Sequence, residues 1–306
     1  MLLISDKKPN LKAYGGGNCY KMGITMDGVD YIVKFPSEMY IQLPHEQKQM
    51  EVSECICEYL GSRIFELLGI NTQHVELAMR DGEVVVLCED FVPGDAKLYD
   101  FQMLWVTRDP IRCSNKQYAI MSDLDATLSV IRDHHIAREA DGLEDHFWKM
   151  FIVDAFIGNS SRSAKDWGVI VDSSNCVSIA PVFGNNDSLN RSWGYDQMKA
   201  ILDNREQFLD EAWRTSFCWF TTWQKRLNPF YVMTGNKYPK CLDALGWFLS
   251  QDFDAVFKMI RDCEHLNSLQ RRFYSKILKE RLECLRRIYV GCSTQKQSSF
   301  IACESQ

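Results

Sequence analysis

Apolar positions recur along this chain in distinct rhythms, and each predicts a different kind of element. In the first ninety residues, Met22 to Met26 and Val29 to Phe35 flank Asp27-Gly28, while Val75 to Arg80 and Glu83 to Glu89 flank Asp81-Gly82. An Asp-Gly pair meets the positive backbone angles of a two-residue hairpin turn, so each set predicts two antiparallel strands. Between them Val52, Ile56, Tyr59, Leu60, Ile64 and Leu67 return at helical spacing. The predicted order is strand pair, helix, strand pair.

A second pattern begins at residue 147. Phe147, Trp148, Met150, Phe151, Ile152, Ala155, Phe156 and Ile157 are apolar on nearly every side, which suits a helix buried in a large domain. Gly158-Asn159 predicts its end and an irregular loop. Trp167-Gly168 leads into the β-branched run Val169-Ile170-Val171, Asp172 to Asn175 reads as a turn, and Val177 to Phe183 reads as the returning strand. Buried helix, polar loop, hairpin and second polar loop follow in that order. Further on, Asp123 to Ala137 and Asp141 to Ile157 predict long helices, as does the stretch from about Leu266 to Tyr289. Trp213, Phe217, Trp219, Phe220 and Trp223 form an aromatic group expected in the core of the larger half, with a partner-binding patch as the alternative.

The central segment resembles the HipA-like serine/threonine kinases, specifically their CtkA-type branch. Phe151 to Asn159 is similar to that family's helix into the catalytic loop, and Ile179-Ala180-Pro181-Val182-Phe183 to its strand into the metal loop. The resemblance implies an α+β, bilobal protein-kinase-like (HipA-like) fold. A small β-rich N-lobe is expected over residues 1–92 and a larger helical C-lobe over 93–290, with a Ser- and Gln-containing disordered tail over 291–306. The family's loop reads Gly-Asn-x-Asp-Arg-His-x-x-Asn-Trp, and here Gly158-Asn159-Ser160-Ser161-Arg162-Ser163-Ala164-Lys165-Asp166-Trp167 stands in its place. Ser161 therefore replaces the catalytic Asp, Arg162 is kept, and Asp166 replaces the magnesium-binding Asn. In the second loop Gly184 replaces the metal-binding Asp, and Asp187 follows three residues later. Asp154 is shared with active relatives and is expected to be structural.

The N-terminal third carries the other half of the likeness. Gly15-Gly16-Gly17-Asn18 precedes the first hairpin, and glycines let backbone amides approach phosphate oxygens. Lys34 resembles the phosphate-pairing lysine and Glu58 the glutamate that holds it in an ion pair. A plain reading makes Lys34 a surface lysine and Glu58 part of a solvated face with Glu51 and Glu54. Cys88-Glu89-Asp90-Phe91 resembles the hinge that meets adenine, which adds Glu89 and Phe91 to the nucleotide-binding set.

Three functions stay open on these residues. The first is a pseudokinase that binds ATP and acts through a protein partner. The second is a weakly active or repurposed nucleotide transferase, by kinase or adenylyl transfer, using Asp166 and Asp187 as metal ligands. The third is an interaction scaffold that binds no nucleotide. ATP is the implied cofactor, and magnesium is left open by the loss of the carboxylate at 184. A formal charge of −6 over 306 residues gives no general attraction to nucleic acid. No apolar run approaches the roughly twenty residues of a membrane span, and the 12 cysteines lack paired zinc spacing, so a cytoplasmic chain with reduced thiols is expected.

Overall fold

Both Asp-Gly hairpins form with the expected register. A computed structural model of the chain describes residues 1–14, 20–48, 50–108, 123–191, 193–222, 225–235 and 237–304. Strands β2 (Lys21–Met26) and β3 (Val29–Lys34) meet across Asp27 and Gly28, and β4 (Val75–Arg80) and β5 (Glu83–Glu89) across Asp81 and Gly82. All four turn residues have φ between 50° and 85°, the backbone that a tight hairpin turn demands. With the short β1 (Leu2–Leu3) these strands make a five-stranded sheet in the order β1-β4-β5-β3-β2. The helix Glu54–Leu67 packs against β4 and β5, with Ser53 capping its first turn. Its buried Ile56, Leu60 and Ile64 join the core of the larger lobe, so this helix ties the two lobes together.

The larger lobe is built around the helix Leu143–Ile157. Every residue from Met150 to Ile157 is buried, and the helix stops at Gly158, whose φ of 70° only glycine adopts readily. A three-stranded sheet lies beside it, in the order β6 (Lys97–Asp100), β7 (Gly168–Val171), β8 (Val177–Ile179). The hydrophobic pattern did not predict β6, because its partner β7 lies some seventy residues further along the chain. Strand β8 is shorter than expected for an equally physical reason. Pro181 has no N–H for the ladder, and the chain leaves β7 there. Val182 pairs instead with Thr72, on the connection that follows the small-lobe helix.

Of the aromatic group, only Phe220 is buried; Trp213 and Trp219 are half-buried, Phe217 is exposed, and Trp223 lies outside the described residues. The last helix runs Ser268–Glu304, well past the expected end near Tyr289. No helix among the described residues is long and apolar enough to cross a membrane.

Candidate functional site

Strand alternation places Lys34 and Ile32 on one face of the small-lobe sheet, opposite the buried Val33. Lys34 Nζ lies 2.9 Å from Glu58 Oε2. Glu58 is 1% exposed, so it is not part of a solvated helix face. Its second oxygen, Oε1, accepts the backbone N–H of Asn185 at 2.9 Å, from the loop after Gly184. Burial opposes the charge on Glu58, but the Lys34 ammonium and the Asn185 amide outweigh it and hold the carboxyl below its ordinary range. The small-lobe helix and the second loop are thus joined through one carboxylate.

Arg162 joins the two loops to each other. It is 2% exposed, and its Nε and Nη2 each donate to one oxygen of Asp154 at 2.8 Å. The same guanidinium donates to the Phe183 carbonyl and the Asn185 side-chain oxygen, and more weakly to the carbonyls of Asp166 and Gly184. Asn185 Nδ2 in turn donates to Ser62 Oγ at 2.9 Å. Burial pushes the Asp154 carboxyl up against the pull of Arg162, while Asp154 keeps the guanidinium firmly protonated despite its own burial. Asn159 supplies a further donor to Asp154 at 3.1 Å. Asp154 is therefore the structural residue that the sequence suggested.

Ser161 sits half-buried at the apex of the first loop, its N–H and hydroxyl directed at Asn159 Oδ1 at 3.4 Å. Asp166 turns back into its own loop: Oδ2 accepts the Ser163 amide at 2.9 Å and the Ser163 hydroxyl at 2.6 Å. Gly184 faces this side chain directly. It has a φ of 73°, and a Cβ there would stand 2.9 Å from Asp166 Oδ1 and 3.0 Å from Asp166 Cβ. Asp187 accepts the Ser160 hydroxyl at 3.3 Å and pairs with Arg191 at 3.6 Å. Among the described residues, no group of three or more His, Cys, Asp or Glu side chains is arranged to hold a metal ion.

At the hinge, the Glu89 amide donates to the His74 carbonyl at 2.9 Å, and the Glu89 carbonyl accepts Gln73 Nε2 at 2.8 Å. The Phe91 ring lies 5.5 Å from that of Phe183, which brings this segment next to the start of the second loop. Gly15, Gly16, Gly17 and Asn18 lie outside the described residues, but the segment just before them is placed. Gly23 pairs with Ile32, so its missing side chain would point to the Lys34 face, and Asn10 and the Tyr14 ring fill that space. Tyr14 donates to Asp90 Oδ2 at 2.8 Å, and Lys12 bridges Asp90 and Asp30 at 2.9 Å each. Sequence reasoning missed this strap and the role of Asn185. Nothing local distinguishes a turn asparagine from one that caps a glutamate 127 residues away.

No family model matches the chain. It is 26% identical over 274 residues to the serine/threonine-protein kinase CtkA of Helicobacter pylori strain J99, covering 88% of this chain and 81% of CtkA. The crystal structure of a Helicobacter pylori proinflammatory kinase CtkA superposes with a TM-score of 0.80 at 22% identity, over 94% of this chain and 98% of that one. A chain from the Shewanella oneidensis MR-1 HipA, HipB and operator DNA complex gives a TM-score of 0.54 at 13% identity, over 95% of this chain and 68% of that one. The protein has a HipA-like kinase fold, α+β and bilobal, and is related to CtkA.

Proposed function

We propose that this HipA-like kinase-fold protein is a pseudokinase, a module that holds a nucleotide between its lobes and acts by engaging a protein partner. The observation that carries the reading is the contrast within one cleft. The Lys34–Glu58 pair is assembled and anchored to the second loop, at 2.9 Å on both sides of the carboxylate. The two loops beside it offer Ser161 and Gly184 where a kinase needs carboxylates. A serine hydroxyl has almost no basicity at neutral pH, and a positioned general base is worth roughly 10² to 10⁴ in rate.

The donor set does not fit a kinase magnesium site. Gly184 has no ligand beyond its backbone, and Asp166 spends Oδ2 on Ser163. The tie from Asp187 to Ser160 and Arg191 likewise disfavours the transferase reading. Lys34 then supplies the charge that meets the phosphates, and binding is independent of magnesium. The fixed strap of Asn10, Lys12 and Tyr14 over the Lys34 face supports the other reading, a scaffold without nucleotide.

Titration with ATP, with and without magnesium, separates these functions. At a hundredfold over its dissociation constant, ATP stabilises the fold by about 2.7 kcal/mol. A pseudokinase shows this shift without metal, loses it on Lys34→Met and incorporates no labelled phosphate. Absence of any shift establishes the scaffold; label incorporation dependent on Asp166 or Asp187 establishes the transferase.

A further inference from the structure

Below the first loop lies a buried cation that makes no ion pair among the described residues. Arg281, on the helix Ser268–Glu304, is 1% exposed. Its Nε donates to the Ala212 carbonyl at 2.8 Å and Nη2 to Asn190 Oδ1 at 2.7 Å, with a weaker bond from Nη1 to the Phe156 carbonyl at 3.4 Å. All three acceptors are neutral, and a guanidinium has five N–H donors. Among the described residues no carboxylate forms an ion pair with Arg281, and burial, opposed by the charge of Glu211, pushes the guanidinium down to about 9.

The fold makes room for this arrangement at one position. A Cβ on Gly158 would lie 2.5 Å from Arg281 Nη1 and 2.5 Å from Asn190 Oδ1, so the glycine that stops the buried helix also admits the guanidinium beneath the loop. Arg281 faces a polar cavity of about 180 Å³ whose wall carries Arg226, Asn159, Ser160 and two carboxylates, Glu211 and Asp154, the second paired with Arg162. Lys34, Glu58, Asp166 and Gly184 do not line it, so it is separate from the nucleotide cleft. Arg226 is exposed on the short strand Lys225–Arg226 and makes no ion pair among the described residues. A water occupies roughly 30 Å³ of liquid, so the space admits a five-atom oxyanion with part of its hydration.

We infer that this cavity is a binding site for a phosphate oxyanion, gripped between the Arg281 and Arg226 guanidiniums. Guanidinium forks match phosphate oxygens in charge and geometry, and the low dielectric around Arg281 strengthens the attraction. Glu211, half-buried on the same wall and raised in pKa by burial and Asp210, opposes an incoming anion, whereas the charge of Asp154 is met by Arg162. The site is independent of whether a nucleotide binds above it. Ser160, on the cavity wall, donates its hydroxyl proton to Asp187, so an anion here lies next to a tie between the two loops.

A free phosphate ion and a phosphate monoester on a partner's side chain present the same oxyanion. The full chain in chloride-free buffer is titrated calorimetrically with inorganic phosphate and, separately, with O-phosphoserine. Saturable one-to-one binding is expected. Arg226→Ala, at an exposed position, weakens it roughly tenfold, since a hydrogen bond to a charged group is lost. Glu211→Gln tightens it roughly threefold by removing the opposing charge, and Lys34→Met leaves it unchanged. Tighter binding of phosphoserine assigns the site to a monoester, and tighter binding of phosphate to the free ion. The inference is overturned by no saturable binding of either probe, by loss of binding on Lys34→Met, or by indifference to both Arg226→Ala and Glu211→Gln.

Discussion

Restoring a carboxylate to the second loop, Gly184→Asp, tests the claim that the two loops have been remodelled together. Position 184 has a φ of 73°, which disfavours a side chain by about 1–2 kcal/mol, and somewhat less for Asp than for bulkier residues. The new Cβ would stand 2.9 to 3.1 Å from three atoms of Asp166, closer than side chains settle without displacement. Two carboxylates about 4 Å apart repel by about 4 kcal/mol at an effective dielectric of 20, and partial exposure of Asp166 reduces this to about 1 kcal/mol. The expected loss is about 2–4 kcal/mol. Asp166→Asn removes the like charge and leaves one acceptor for Ser163, so alone it costs about 1 kcal/mol. Combined with Gly184→Asp it recovers about 1–2 kcal/mol as a coupling energy. Urea unfolding of the four proteins at pH 7 measures the cycle. A Gly184→Asp protein within about 0.5 kcal/mol of wild type, or a coupling near zero, refutes the reasoning. The cycle also sets a condition on reactivation. Ser161→Asp with Gly184→Asp will not rebuild a metal site while Asp166 fills the space between the loops.

Breaking the buried pair with Arg162→Ala, or with Asp154→Asn, is expected to destabilise the fold by about 3–5 kcal/mol, because each leaves a buried partner uncompensated. Chemical denaturation checks this, and a loss below about 1 kcal/mol would show that the loops do not depend on the arginine. The Glu58 carboxyl is held below its ordinary pKa in the fold, so its contribution is present above the unfolded value of about 4.3 and disappears as pH falls through the lower folded value. Stability measured from pH 6 down to pH 2 should therefore drop more gently in Glu58→Gln than in wild type; parallel profiles would remove Glu58 from the acid response.

The hairpins, the buried helix and its stop at Gly158 were legible because each rests on local chemistry: Asp-Gly turns, an apolar run, a glycine in a left-handed backbone. Strand β6 was not, and neither was the early departure of β8, since the first depends on a distant partner and the second on Val182 pairing with Thr72 of the small lobe. The same division runs through the site. The family resemblance marked Lys34 and Glu58 as a pair and set Ser161 and Gly184 where it leads one to expect carboxylates. Only the tertiary structure decided that the Asn185 amide caps Glu58, that Asp166 fills the space over Gly184, and that Arg281 lies buried with no ion pair among the described residues. Those facts are distances between residues far apart in the chain. Local pattern governs backbone shape, but burial and charge compensation depend on everything that packs around a group.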